Sequence, residues 1–383
     1  MKIVIPLSSF GKAGGQRVLS NLASKWVEMG HNVILLVHYT SEPVYFPTKA
    51  KIVWIDNHGR EMNHQHGHKS TGLVKYFGFF AVLVAIFRGL ENYANDADIV
   101  LANQSFTTPL PVWISRIGSK KFYYIQGYEP EFIIDINHPS FLINRKIFSN
   151  LFLWLLSSTS YFLNLHKIVN SPIYFNYKML RADKYVPPGI DFSVFYPNDQ
   201  APSSDWVDRT ITIGCIGRKE VWKGTKHVLD AFNILKQQNF NIRLLVAYGN
   251  LPETRDILSD CHIVVPRNDM ELADFYRSLD IMIAPGSVQL GAAHYPVMEA
   301  IACGVPVITT GYLPARIEGE NAWIVPIEDA ESIAKAVKEI ITDSALRKIR
   351  VMNATRDIQE FSWDIVSRKM IDLFSLCLHD SQS

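Results

Sequence analysis

The sequence predicts an α/β protein made of two doubly wound parallel-sheet domains that face a central cleft. Strand-like apolar runs alternate with helical patterns along most of the chain, which is typical of parallel sheets covered by helices. The alternation stops at Pro187–Asp191 and the polar residues Pro197–Asp208, and then resumes. A chain of 383 residues is also longer than a single core usually supports. We therefore place one domain at 1–200, a second at 201–360 and a C-terminal helix at 361–383.

The individual elements follow from short runs rich in Ile, Val and Leu that are bounded by polar residues or glycine. In the first domain, strands are predicted at Lys2–Pro6, Asn32–Val37, Lys51–Ile55, Ile99–Asn103, Phe122–Gln126 and Ile168–Asn170, and helices at Gln16–Met29, Leu73–Tyr93 and Pro172–Leu180. In the second, strands are predicted at Thr210–Ile216, Ile242–Ala247, His262–Val265, Ile281–Ala284, Val305–Ile308 and Ala322–Val325. Ligands of such sheets bind beyond the carboxyl ends of the strands, so site residues are expected directly after strands.

Composition predicts a folded protein of a reducing compartment. The chain is 48% hydrophobic and 20% charged, which is the balance of a globular protein. Its cysteines form no CxxC pair and no metal-ligand spacing, so we expect reduced thiols. They are Cys215, Cys261, Cys303 and Cys377. The opening residues Met1–Ile5 have the pattern of a strand and not of a signal peptide, and we expect a cytoplasmic location.

Charge and apolar stretches raise the question of membrane contact. Residues 1–200 hold 19 Lys/Arg and 13 Asp/Glu, a surplus of 6, and the remainder holds 19 against 24, a deficit of 5, which together give the net charge of +1. The surplus fits an anionic acceptor or a phospholipid surface, or ordinary scatter between domains. The apolar stretches are Gly72–Leu90 and Phe141–Leu165. In the first, the 12 uncharged residues between Lys75 and Arg88 fall short of the roughly 20 that span a membrane.

Both apolar stretches are therefore expected to be helices packed on the sheet. The alternative is an edge of the first domain that rests on the inner face of the plasma membrane.

A glycine-rich loop, Gly11–Gly15, follows the first strand and opens a helix. Its backbone amides and the helix N-terminus could face a phosphate, and a plain glycine turn is the alternative. The loop lacks GxGxxG spacing, and the second strand ends in His38-Tyr39, not in an acid that would hold a ribose. The pattern therefore does not favour a nicotinamide dehydrogenase.

Two cations follow the first strand of the second domain. That strand ends at Gly217-Arg218, and Lys223-Gly224 comes just before the next helix. Two fixed cations at this position could neutralise the charge that grows on a departing nucleoside diphosphate. Their place after a strand and beside glycines argues against a pair of solvated surface cations.

A loop of small residues, Pro285–Ala293, follows the predicted strand Ile281–Ala284, and the next helix carries Glu299. Small residues let backbone amides approach a ligand, and a carboxylate can accept hydrogen bonds from both hydroxyls of a ribose. Taken alone, Glu299 could instead be an acid favoured by the helix dipole. Its proximity in sequence to the loop, together with the two cations, favours a nucleotide-binding role.

These segments resemble the family 4 retaining glycosyltransferases, which have the GT-B fold. The similar segments cover nearly the whole chain and are specific only in combination. They are Gly14–Leu19, Val186–Asp191, Gly217–Gly224, Met298–Ile308 and Phe361–Trp363. The resemblance implies that the first domain binds the acceptor, that the second binds a nucleotide sugar, and that the C-terminal helix crosses back to the first domain.

The resemblance also implies roles for residues. Arg218 and Lys223 would hold the diphosphate and Glu299 the ribose, and these three form the predicted catalytic set. The predicted donor-binding residues are Gly14, Gly15, Gly217, Arg218, Lys223, Arg267, Gly291, Ala293, His294, Tyr295 and Glu299. No cofactor is expected, because the nucleotide sugar is a substrate.

Two departures from the family pattern affect the sugar. The family usually has a Glu that binds the donor sugar where this chain has Gly291, and often a His near the reacting carbon where this chain has Gln126–Pro130. The segments around Gln126 and His294 resemble bacterial rhamnosyltransferases of the family. They imply L-rhamnose from dTDP-rhamnose as donor and a cell-surface glycan or lipid-linked oligosaccharide as acceptor. Gln126 and Glu129 would approach the sugar or the acceptor, with Glu129 as a surface acid in the alternative.

Other patterns are interpreted as structural. His58, His64, His66 and His68 crowd one polar loop without an acid or cysteine nearby, which favours a mobile loop over a metal site. The DxD motif Asp96–Asp98 precedes a strand, so we expect a turn and no required metal. Lys and Arg form no stripe interleaved with aromatics, so nucleic acid is not expected as a partner.

Four alternative functions remain at this point. They are a transferase that uses a UDP- or GDP-hexose, a sugar-nucleotide epimerase of the same fold, a nicotinamide enzyme, and a non-catalytic partner subunit.

Overall fold

The structure, a computed structural model, describes residues 1–11, 14–62, 74–133, 147–198, 206, 209–251, 259–316 and 318–379. The chain divides into two compact units, the first formed by Met1–Pro188 with Trp363–Ser383 and the second by Gly189–Ser362. The domain boundary predicted between residues 200 and 201 lies outside the described residues.

The described part of the first unit is a sheet of parallel strands with helices between them. Its elements are β1 (Lys2–Leu7), α1 (Gly14–Glu28), β2 (Asn32–His38), β3 (Lys51–Ile55), α2 (Val74–Tyr93), β4 (Ile99–Ala102), α3 (Pro109–Ile114), β5 (Lys120–Ile125), α4 (Pro130–Ile133), α5 (Ile147–Ser160), β6 (His166–Val169) and β7 (Lys184–Tyr185). The strand order is β3-β2-β1-β4-β5-β6-β7, and every pairing is parallel. The chain therefore winds away from β1 in both directions.

The second unit repeats this plan. Its elements are β8 (Ile211–Ile216), α6 (Thr225–Gln237), β9 (Ile242–Ala247), β10 (Cys261–Val264), α7 (Asp269–Arg277), β11 (Ile281–Ala284), α8 (Tyr295–Ala302), β12 (Val307–Thr309), β13 (Trp323–Ile324), α9 (Ala330–Thr342) and α10 (Ser344–Asp357). The strand order is β10-β9-β8-β11-β12-β13, again all parallel. Both units are doubly wound α/β folds, as the sequence predicts.

The strands form where the sequence has continuous apolar runs because helices cover both faces of a parallel sheet. In β1 the side chains of Ile3, Val4 and Ile5 are completely buried, and in β11 Ile281, Met282 and Ile283 are buried in the same way. Strands with both faces covered cannot be recognised by alternation, but they stand out as short apolar segments.

The last helix, α11 (Trp363–His379), belongs to the first unit although it follows the second in the chain. Its Phe374 is fully buried and contacts the rings of Trp26 on α1 and Phe122 on β5, at centroid distances of 5.6 and 4.7 Å. The indole Nε1 of Trp26 donates a hydrogen bond of 3.2 Å to the carbonyl oxygen of Ser367. These contacts fasten α11 to the sheet and to α1.

One predicted element is wrong and one short strand of the structure was not predicted. The predicted helix Pro172–Leu180 is wrong, because only Pro172–Asn176 are helical and they form a short 3-10 turn. Tyr177 leaves the helical region with φ −85° and ψ 86°, and the side chains of Tyr174 and Leu180 are buried beneath the turn. The strand β7 was not predicted, since two residues carry no recognisable pattern.

The apolar stretches contain helices, as predicted. α2 packs on β1, β2 and β3, and in α5 the hydroxyl of Ser160 lies 3.4 Å from that of Tyr123 on β5. Among the described residues no helix combines the length and the apolar character needed to cross a bilayer. The four cysteines form no disulfide, and three of them are buried.

The DxD segment is structural, as the sequence predicts. Asp98 accepts a hydrogen bond of 2.7 Å from the backbone N–H of Lys2, and Asp96 pairs with the ammonium group of the same lysine. Of the histidine-rich loop, His58 contacts the guanidinium of Arg88 at 3.3 Å, whereas His64, His66 and His68 lie outside the described residues. No cluster of three metal-ligating side chains occurs in the parts of the chain that the structure describes.

Candidate functional site

The strands β8 and β11 are neighbours in the second sheet, and the chain continues from them in opposite directions, to β9 and to β12. The carboxyl ends of two such strands leave a crevice where open α/β sheets bind ligands. The loop after β8 carries Arg218 and Lys223, and the loop after β11 leads to His294 and Glu299. Strand order thus brings together the two segments that the sequence singled out.

Glycines let the loop after β8 lie close to its neighbours. A Cβ on Gly217 would be 2.7 Å from Val246 Cγ1, and the Gly217 N–H donates to the carbonyl oxygen of Ala247 at 2.8 Å. The next residue, Arg218, donates its backbone N–H to the Thr225 hydroxyl at 3.0 Å. This hydrogen bond ties the loop to the first turn of α6.

Gly224 is the contact point between the two loops. Its φ of +74° is in the left-handed region, and a Cβ there would be 2.1 Å from the carbonyl oxygen of Pro285. Two residues earlier, the carbonyl oxygen of Trp222 accepts a hydrogen bond of 2.9 Å from the N–H of Ser287. Lys223 lies between these two contacts, so its backbone position is fixed from both sides.

The loop after β11 is supported by the segment that follows β12. The Tyr312 hydroxyl donates to the carbonyl oxygen of Val288 at 2.7 Å, and a Cβ on Gly286 would be 2.3 Å from that hydroxyl oxygen. Gly291 has φ +87° and donates its N–H to Gly311 at 3.0 Å. At such a φ, a residue with a side chain would be strained.

Arg218 and Lys223 form a cationic pair. Burial lowers the pKa of Lys223, the nearby charge of Arg218 lowers it further, and Glu220 acts in the opposite direction. Among the described residues, neither side chain has an acidic partner within 4.0 Å. Two cations that repel each other without an acidic group in direct contact are an arrangement that an anion would stabilise.

His294 lies beside this pair. Its ring stacks on that of Tyr312 at a centroid distance of 4.5 Å, and its Nδ1 is buried with no hydrogen-bond partner in the described structure. Burial, followed by the charges of Lys223 and Arg218, lowers the pKa of His294 to about 3. The imidazole is therefore neutral at physiological pH and can donate or accept a hydrogen bond.

Glu299 is a buried acid of α8, with 2% of its surface exposed. Its Oε2 accepts a hydrogen bond of 2.9 Å from the hydroxyl of Tyr276 on α7. This tyrosine fixes the orientation of the carboxylate. Ala293 and Tyr295 flank His294, and Ala293 forms a parallel bridge with Leu313.

Arg267 has a different environment. Its side chain is 82% exposed and pairs with Glu271 on α7, with Nη2 to Oε1 at 2.5 Å. It follows β10, the edge strand, which β9 separates from β8. The geometry therefore does not group Arg267 with the cationic pair.

The remaining predicted residues belong to the first unit, where Gly15, Gln126 and Glu129, but not Gly14, line a pocket of about 150 Å³. Gly14 and Gly15 open α1, and the carbonyl oxygen of Gly15 accepts a hydrogen bond of 3.3 Å from the Gln126 side chain. Burial raises the pKa of Glu129, and the Tyr161 hydroxyl donates to its carboxylate. Glu129 is thus a partly exposed acid of the pocket lining whose carboxylate accepts a hydrogen bond from Tyr161.

Sequence reasoning missed the partners that orient these groups. Tyr276 is 23 residues from Glu299, and Tyr161 is 32 residues from Glu129. Tyr312, whose ring stacks on that of His294, follows β12, the strand after α8. No local spacing links such pairs, because they meet only through the fold.

Comparison with known proteins finds similarity in the second unit. Residues 210–343 match the family model of Glycosyl transferases group 1. A capsular polysaccharide biosynthesis glycosyltransferase, CapM of Staphylococcus aureus, is 24% identical over 57% of this chain and 60% of its own length. A D-inositol 3-phosphate glycosyltransferase of Kribbella flavida is 26% identical over 48% of each chain. The alignments thus span less than two thirds of either relative.

Solved structures establish the fold. Sucrose-phosphate synthase from Thermosynechococcus elongatus superimposes with a TM-score of 0.72 at 16% identity, with 99% of both chains covered. HepE of Anabaena, solved in complex with UDP-glucose, gives a TM-score of 0.67 at 14% identity over 98% of this chain and 99% of its own. The protein has the GT-B fold, with two Rossmann-like α/β units.

Gly224→Ala tests whether the close contact of Gly224 with Pro285 holds the loops after β8 and β11 together. We expect it to destabilise the protein more than Gly319→Ala, because both glycines have nearly the same φ, +74° and +71°, but a Cβ on Gly319 meets only Ala322 O at 3.5 Å. Urea unfolding of both variants measures the difference. Equal losses would mean that backbone strain alone accounts for the effect.

His294→Phe tests the depressed pKa of His294, since phenylalanine keeps the stacked ring but does not titrate. The pKa in the folded state, about 3, lies below the ordinary value of 6.5, so as pH falls the unfolded chain binds the proton first. Stability is then lost as pH falls from about 6.5 towards 3.

We therefore expect the variant to lose less stability than the wild type between about pH 7 and pH 4. Urea unfolding at a series of pH values provides the measurement. The matched variant His262→Phe, at an exposed position of β10, should follow the wild type. Parallel curves for the wild type and His294→Phe would contradict a buried, neutral imidazole.

Proposed function

We propose that the protein is a glycosyltransferase that transfers a sugar from a nucleoside-diphosphate donor to a hydroxyl of a glycan or lipid-linked acceptor. The observation that carries this proposal is the cationic pair of Arg218 and Lys223, fixed at a strand switch point without a described acidic partner. A diphosphate is the anion that such a pair fits best, because it presents several oxygens to two cations. The match of residues 210–343 to a glycosyltransferase family supports the same function.

Leaving-group stabilisation is the proposed source of rate enhancement. When the bond from the sugar to the diphosphate breaks, negative charge grows on the diphosphate oxygens. Arg218 and Lys223 would stabilise that charge from the loop after β8. Neutral His294 would add a hydrogen bond without competing for the anion, and Glu299 would hold the ribose. Retention of anomeric configuration is part of this proposal.

The identity of the donor is a finer proposal, and dTDP-rhamnose is our first candidate. Gly291 has φ +87°, a conformation that disfavours the glutamate usual at this position in the family. A 6-deoxy sugar would not require that carboxylate. A UDP- or GDP-hexose is the second candidate, and the UDP-glucose complex of HepE supports it.

We also propose that the first unit touches the cytoplasmic surface of the plasma membrane. Large apolar side chains are exposed on several of its helices, among them Trp113 and Ile114 on α3 and Leu151 and Leu155 on α5. Such side chains can insert at the lipid interface. Sedimentation with phosphatidylglycerol vesicles tests this, with Leu151→Ser/Leu155→Ser expected to release the protein. Equal binding of that variant would exclude α5 as the contact.

Lys223→Ala tests the proposed chemistry. We expect turnover to fall by about 10²-fold or more, because a fixed charge that stabilises the leaving group is lost. Lys219→Ala is the matched control, since Lys219 is an exposed cation of the same loop and should leave turnover nearly unchanged. Near wild-type turnover of Lys223→Ala would contradict the proposed role of Lys223 in stabilising the leaving group.

The same variants serve to identify the donor. A ligand that binds only the native state raises the melting temperature, so dTDP-, UDP- and GDP-sugars are compared in a thermal-shift panel. A shift that Lys223→Ala abolishes and Lys219→Ala retains would identify the base. Sugar interconversion without an acceptor would indicate an epimerase, a shift with NAD alone a nicotinamide enzyme, and binding without turnover a non-catalytic subunit.

A further inference from the structure

The helix α11 has an inner face that packs on the first unit and an outer face that is exposed. On the inner face Val366, Met370 and Phe374 are completely buried. The exposed residues of the outer face include Ile365, Arg368, Lys369, Asp372 and Leu376. The contacts of the inner face therefore hold the helix in place and leave the outer face accessible.

Four of the exposed residues form one stripe along the helix. Ile365, Lys369, Asp372 and Leu376 follow one another at intervals of four, three and four residues. Residues at such intervals lie one above the other, and the same spacing forms the contact seam of paired helices. The stripe is apolar at both ends, where 45% of Ile365 and 61% of Leu376 are exposed, and it is charged in the middle.

The flanks of the stripe are fixed by the first unit. On one flank, the ammonium group of Lys369 lies 4.5 Å from the centre of the Tyr185 ring on β7. On the other flank, Asp364 pairs with Lys25 of α1 at 2.9 Å. Asp372 lies between these contacts and forms no ion pair within the part of the chain that the structure describes. Its carboxylate is thus available to a cation from outside the chain.

The stripe is complementary to itself when a second copy runs antiparallel to the first. Ile365 and Leu376 are eleven residues apart, and Lys369 and Asp372 lie four residues inside them. When Ile365 of one copy lies against Leu376 of the other, Lys369 therefore lies against Asp372, and a two-fold axis repeats both contacts. A parallel pair would instead place like charges against each other. The pattern thus fits the isologous contact of a two-fold symmetric dimer.

We propose that the outer face of α11 is a self-association surface, through which two copies of this chain pair antiparallel about a two-fold axis. The paired stripes form apolar contacts at their ends and two ion pairs in the middle. Each stripe is roughly 18 Å long at the rise of an α-helix, and an interface of this size is typical of weak, transient complexes. The dimer is therefore expected to depend on protein concentration. The pairing does not depend on the proposed transferase activity.

Sedimentation velocity over about a hundredfold range of protein concentration tests the pairing. The wild type should change from monomer to dimer as the concentration rises. Asp372→Lys brings a lysine against Lys369 of the second copy, so it should weaken association by about tenfold or more, and Lys369→Asp should do the same. Lys335→Asp reverses an exposed charge on α9 and is the matched control, which should dimerise like the wild type.

Mixing the two variants separates specific pairing from a general effect of the substitutions. In a mixed dimer, the Asp372→Lys copy has two lysines in the middle of its stripe and the Lys369→Asp copy has two aspartates, so both contacts are attractive. We expect dimers in the mixture at concentrations where neither variant associates alone. The double variant Lys369→Asp/Asp372→Lys should also regain self-association, because each of its copies again carries both charges.

Leu376→Ser tests the apolar ends without changing a charge, and it should also weaken association. The proposal is overturned if the wild type stays monomeric at all concentrations, or if Asp372→Lys associates as strongly as the wild type. Failure of the two charge-reversed variants to associate when mixed would overturn it as well, because complementary charges would then not determine the contact.

Discussion

The contact of Gly224 with the carbonyl oxygen of Pro285 determines the geometry of the candidate donor site. Any side chain at Gly224 would collide with that oxygen, so only glycine lets the loop after β8 lie against the loop after β11. The contact draws Lys223 into a partly desolvated position beside Arg218. The two cations repel each other in the empty site, and a bound anion would relieve that repulsion. The packing that makes the empty site less stable therefore increases its affinity for an anionic ligand.

The two units use one architecture for different chemistry. Each is doubly wound, and each has its candidate site at the point where the strand order reverses. The second unit places cations there and the first places amide and carboxylate oxygens. A nucleotide sugar and its acceptor together require both kinds of surface, one for phosphate and one for hydroxyls. The difference arises entirely from the loops after the strands, since the sheets themselves are apolar.

The fold could be predicted from the sequence because fully buried parallel strands are short apolar runs. The polar linker interrupts the alternation of strands and helices and so marks the two units. The sequence also predicted a site from Arg218, Lys223 and Glu299, and the structure places the first two in the loop after β8 and the third within α8. It failed where a residue's environment depends on distant segments. The helix predicted over Pro172–Leu180 was wrong because tertiary burial of Tyr174 and Leu180 outweighs helical propensity. The hydrogen bonds from Tyr276 to Glu299 and from Tyr161 to Glu129 could not be predicted either, because each joins residues that are distant in the chain.

The place of α11 in the chain has a consequence for how the protein is made. The first unit needs Phe374 between Trp26 and Phe122 to complete its core, yet the whole second unit lies between them in the chain. During synthesis on the ribosome, the apolar surface that α11 covers therefore stays exposed on the first unit while residues 189–362 are translated. The second unit, whose strands are contiguous in sequence, can fold as soon as it emerges.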